Sequence, residues 1–203
     1  MVKDNPYSPH PGVAMVRSWI ETLPEKTGRS LDQWLRLIEE RGPAGEKERA
    51  AWLKSEHGLG TNSALWLAER SVGKGEEDGD PELYLRSALG YVEAMFAGRE
   101  ALRPVYDELL RLGLSLGPDV KASPGKTIVP LYRNHVFAQI KPATKTRIDL
   151  GFALKDTPVT GRLIDTGGFA KKDRITHRIP IASLAEIDGE VRRWLQTAYE
   201  MDA

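Results

Sequence analysis

Arg147-Ile148-Asp149-Leu150-Gly151-Phe152-Ala153-Leu154 is the stretch on which the fold turns. Its apolar residues Ile148, Leu150, Phe152 and Leu154 recur at every second position, the period of a β-strand with one buried face. A slip of one residue would turn all four out of the core, so the register is strongly specified. Residues 128–132, 136–140 and 175–180 read as further strands. Arg133-Asn134 and Pro142-Ala143-Thr144 fall at hairpin separations, which predicts antiparallel pairing. Residues 161–172, rich in glycine and basic residues, are expected to be a loop, and 183–199 a terminal amphipathic helix through Leu184, Ile187, Val191, Trp194 and Leu195.

Before Gly117-Pro118 the apolar period is helical. Ala14, Val16, Trp19, Ile20 and Leu23 predict a first helix that stops at Gly28. Ser30 and Gln33 form a capping box that opens a second helix to about Arg41. Helices over 46–57 and 62–71 complete a bundle with tryptophans 19, 34 and 52 inside. The acidic, Gly-rich residues 73–80 show no apolar period and read as a linker. Asp80-Pro81-Glu82 then launches a long helix to Gly98, and Pro104 starts another that ends before Gly113. The expected class is α+β: a helical module at 13–72, a linker at 73–80, and a domain at 81–203. In that domain an antiparallel meander sheet, at about 120–180, is flanked by helices.

The 203 residues are 40% apolar and 29% charged, an ordinary globular composition. No run is long enough to span a bilayer, and the N-terminal Met1–Pro6 stretch has no apolar segment, so a cytoplasmic protein without membrane partners is expected. Cysteine is absent, which removes thiolate chemistry and disulfides. Net charge is zero, yet residues 120–180 hold 12 Lys/Arg against 4 Asp/Glu, a net +8 that favours anionic partners.

His10, His57, His135 and His177 show no metal-ligand spacing, and neither a phosphate loop nor a serine elbow occurs. No catalytic residue, metal or cofactor is therefore expected. Two features remain. Gly58, Gly60 and Thr61 form a Gly-x-Gly turn between helices, which reads either as a phosphate-receiving turn or as a C-cap followed by a Thr or Asn N-cap. Lys141, Lys145 and Arg147, facing Lys171, Lys172, Arg174, His177 and Arg178, form a candidate anion-binding surface. Alternation places most nearby aromatics (Tyr132, Phe137, Phe152, Phe169) in the core, which favours backbone contact over base stacking.

Lys26-Thr27-Gly28-Arg29-Ser30 with Trp34, Ala51-Trp52-Leu53-Lys54 and Glu56-His57-Gly58-Leu59-Gly60 resemble the helical module known as domain of unknown function 4287. Leu102-Arg103-Pro104-Val105-Tyr106, Phe137-Ala138-Gln139-Ile140-Lys141-Pro142 and Arg147–Gly151 with the Trp194 helix resemble its companion, domain of unknown function 5655. The pair occurs in two-domain bacterial proteins, and the second half is similar in outline to the YjbR-like fold. That likeness implies DNA binding at the level of analogy, since a fold does not determine a function. Where the helical family often has a histidine after the Gly-Leu-Gly turn, this chain has Thr61-Asn62.

Three readings follow. The first is a non-enzymatic module whose basic sheet domain engages nucleic acid or another polyanion. The second is a binder of small molecules or peptides in a cleft between the domains, with the Thr166–Lys172 loop as a lid. The third is an enzyme using His177 or His135 as a base beside Asp149. Oligomeric state is not written in the sequence.

Overall fold

The computed structural model describes residues 5–203. Residues 1–4, on which part of the targeting expectation rests, lie outside the described residues. The chain divides into a helical unit, residues 9–84, and an α+β unit made of residues 5–8 and 85–203.

In the helical unit α1 spans Pro11–Thr27, α2 Leu31–Arg41, α3 Glu46–His57 and α4 Thr61–Arg70. The boundaries follow from local chemistry. Gly28, at φ 77°, ends α1, and the reciprocal Ser30–Gln33 capping box starts α2. Leu23, Trp34, Ile38, Leu53, Ala64 and Leu67 form the core. Of the tryptophans expected inside, only Trp34 is fully buried, its indole N–H donating to Thr27 Oγ1 at 2.8 Å; Trp19 and Trp52 are half-buried. Residues 73–80 include a 3-10 turn at Glu76–Gly79 that packs on α1.

Helix α5, Pro81–Phe96, is capped by Asp80, whose Oδ1 accepts the amides of Glu82 at 2.8 Å and Leu83 at 3.1 Å. The division between units falls within it, between Tyr84 and Leu85. The α+β unit continues with α6, Arg103–Leu114, then strands β1 Lys121–Ala122, β2 Val129–Tyr132, β3 Val136–Pro142, β4 Ile148–Phe152, β5 Ile164–Asp165 and β6 His177–Ile181, and closes with α7, Gly189–Glu200. The strands form one sheet in the order β1-β2-β3-β4-β6-β5, every pair antiparallel.

Ile148, Leu150, Phe152 and Leu154 are wholly buried, as their alternation demands. Helices α6 and α7 cover the sheet. Burying one such side chain contributes roughly 1.5–3 kcal/mol, so a register slip that exposed all four would be strongly destabilising. The edge strands β1 and β5 were not expected. Both side chains of β5 are exposed, so no alternation marks it, and its place comes from pairing with β6 inside the expected 161–172 loop. Among the described residues no helix is long and apolar enough to cross a membrane.

Candidate anion-binding face

The outer face of the sheet is laid out by register. Lys141, Asp149 and Pro180 lie in one cross-strand row, and Gln139, Gly151 and Arg178 in the next. The 166–176 segment crosses this face at Gly151, where a Cβ would stand 2.7 Å from Ile175 Cγ2 and 2.9 Å from Gln139 Cγ. Only glycine lets the segment lie so close. Thr176 N donates to Phe152 O at 3.0 Å, tying one end of the segment to β4, and Thr166 N donates to Thr176 O at 2.9 Å, tying the other end to the first.

The arginines of the expected surface are engaged in ion pairs. Asp149 lies between two of them, with Arg147 Nε 2.9 Å from Oδ1 and Arg178 Nη1 3.2 Å from Oδ2. Arg174 pairs through Nη2 with Asp202, and its Nε donates to Val136 O at 2.9 Å. Asp202, its side chain 3% exposed, also accepts from His135 N at 2.7 Å. The two further arginines of residues 120–180 are paired as well, Arg133 with Asp119 and Arg162 with Asp188 and Glu190. Backbone amides at the start of α7 hold the Asp188 carboxyl below the usual range, and the Arg162 amide does the same for Glu190.

The lysines behave oppositely. Lys141, Lys145, Lys171 and Lys172 are exposed, as are Lys121, Lys126 and Lys155, and among the described residues none of the seven has an ion pair. A short stem with a planar fork suits fixed carboxylates, whereas a long flexible ammonium stays hydrated.

His177 does not belong to the surface. It is 2% exposed, because its strand position faces inward, and its Nδ1 lies 2.8 Å from Thr176 Oγ1. Asp149 is on the other face, and His135 Nδ1 lies 3.1 Å from Asp202 instead, so the His–Asp149 pairing considered for catalysis is not assembled. No group of three His, Asp or Glu side chains suited to a metal occurs among the described residues.

Two open grooves flank the 166–176 segment, with Asp173 and Arg174 on the wall they share. The first, about 570 Å³, is polar and lined by Gln139, Lys141, Asp149 and Arg178. The second, about 560 Å³, is lined by Ala153, Lys155, Phe169, Lys172 and Met201. Lys145, in the β3–β4 turn, and Lys171 border neither. The sequence reading missed Lys155, which follows the last alternating residue, while Phe169 falls within the expected 161–172 loop. That ring is 54% exposed, because it sits in a turn and not on a strand.

The second candidate belongs to the helical unit. Gly58, at φ 65°, is the C-cap of α3, and its amide donates to Leu53 O; the left-handed conformation requires glycine here. Gly60, and not Thr61 or Asn62, is the N-cap of α4, and Thr61 is its first helical residue. The turn is thus accounted for by capping. His57 beside it packs edge-on against Trp34 and Trp52, at ring distances of 5.4 and 4.5 Å.

A helical unit followed by an α+β unit with an antiparallel sheet defines the class. Within that class, the chain belongs to the family described as domain of unknown function DUF5655, whose model matches residues 92–202. Residues 15–70 match the model of domain of unknown function DUF4287. No curated protein and no solved structure matches the chain.

Proposed function

We propose that this protein is a cytoplasmic, non-enzymatic binding module whose α+β unit holds nucleic acid, or a comparable polyanion, on the lysines around the 166–176 segment. The observation that carries this reading is the division of labour among the 12 cations of residues 120–180. All five arginines are ion-paired and all seven lysines are exposed without such a pair. Paired arginines build the surface; unpaired lysines leave it positive. Phosphates meeting them would release counterions, so affinity should fall linearly with log salt, each contact adding about 0.9 to the slope.

The test is binding of a labelled duplex to the full chain over a salt series. Lys141→Glu with Lys172→Glu should weaken binding by at least ~10-fold at low salt and flatten the slope by about two contacts. Melting should be unchanged, because both side chains are exposed. Absence of binding to any nucleic acid at low salt would remove the reading.

A further inference from the structure

We infer that the second groove takes single-stranded nucleic acid, one base stacking on Phe169 while the flanking phosphates meet Lys155 and Lys172. This rests on the polyanion reading above and names the form of the ligand.

The groove combines two chemistries. Its apolar part is Phe169, 54% exposed, with Met201, 37% exposed, and Ala153. An exposed aromatic ring beside further exposed apolar surface gains nothing for folding, but it offers a flat face that any base can cover. Its polar part is cationic at the rim, through Lys155 and Lys172. Phosphates require such charges, and bases require the ring. A duplex keeps its bases stacked inside and could use only the lysines.

The backbone supports the same assignment. Lys155, at φ 56°, and Lys172, at φ 61°, are the two non-glycine residues with left-handed backbone among the described residues, and both line this groove. Glycine would adopt that conformation without strain, so a lysine at each position points to a use for the side chain. The turn that presents Phe169 is held in place by its own contacts. Lys172 N donates to Phe169 O at 3.1 Å, Asp173 N to Gly168 O at 2.9 Å, and Arg174 ties the turn's end to Asp202. Binding would therefore cost little ordering entropy. Asp173, the one carboxylate lining the groove, disfavours phosphate at its own end and leaves an acceptor for a base amino group.

The experiment measures fluorescence anisotropy of the full chain with labelled oligodeoxythymidylate, an abasic strand of equal length, and a duplex. The thymidylate strand should bind more tightly than the abasic one. Phe169→Ala should weaken thymidylate binding roughly 5- to 150-fold, leaving abasic and duplex binding unchanged. Lys155→Gly, which preserves the backbone conformation, should lower the salt slope by about one contact. If Phe169→Ala binds thymidylate as the parent does while Lys141→Glu with Lys172→Glu abolishes binding, the stacking inference is overturned and the polyanion reading stands. If no strand or duplex binds at low salt, both fall.

Discussion

Arg174 and Lys172 stand two residues apart with the same formal charge, and their surroundings give them different work. Arg174 reaches both Asp202 and the Val136 carbonyl, while Lys172 reaches solvent. The carboxylate of Asp202, buried at the C-terminal end, is what turns a surface arginine into a tether. Asp202→Asn keeps the shape and removes the charge, which should cost about 1–2 kcal/mol, discounted because Arg174 is half exposed. Hydrogen exchange should then quicken over 166–176 and stay unchanged in β3 and β4. Unaltered protection of the segment would show that the tether does not order it. Similar local contrasts separate His177 from Arg178, adjacent residues on opposite faces of one strand.

At the scale of elements, β4 acts on both sides. Its inward residues build the core, and its outward Asp149 and Gly151 position two arginines and the crossing segment. Gly151→Val would push its branched side chain into Ile175 and Gln139, so the segment must lift. The expected loss is about 1–3 kcal/mol, measured by denaturant unfolding, together with weaker thymidylate binding as Phe169 shifts. An unchanged midpoint would mean that the segment yields freely. Strands long enough to alternate were legible from sequence; β1 and β5 were not, since two residues carry no period and their pairing partners lie elsewhere in the chain.

At the scale of the whole molecule, the α+β unit begins before the helical unit does. Ser8 N donates to Ala122 O at 2.8 Å, Asn5 Nδ2 donates to Leu85 O at 3.2 Å, and the hydroxyls of Tyr7 and Tyr106 meet at 2.9 Å. Burial pushes both phenols above their ordinary value of 10.0, Tyr106 far above it. Because the folded values are raised, the stability tied to neutral phenols is complete below about pH 10 and is lost as pH climbs beyond it. Tyr7→Phe should cost about 1 kcal/mol at pH 7 by breaking the buried hydrogen bond, and should make the alkaline decline in denaturant midpoint shallower. A parallel decline in both proteins would locate the alkaline transition elsewhere. This N-terminal strap was invisible in the sequence, since Tyr7 and Tyr106 are 99 residues apart. The sequence by itself determined the helices, the long strands, their buried faces and the excess of positive charge, because period, caps and composition are local properties. Only the tertiary structure decided which charges remain unpaired, since Arg174 finds Asp202 across 28 residues and Arg178 finds Asp149 through β-sheet register. It alone also decided that Phe169 faces solvent beside Lys155 and Lys172: ion pairing and exposure depend on what long-range folding brings together, and no spacing along the chain encodes that.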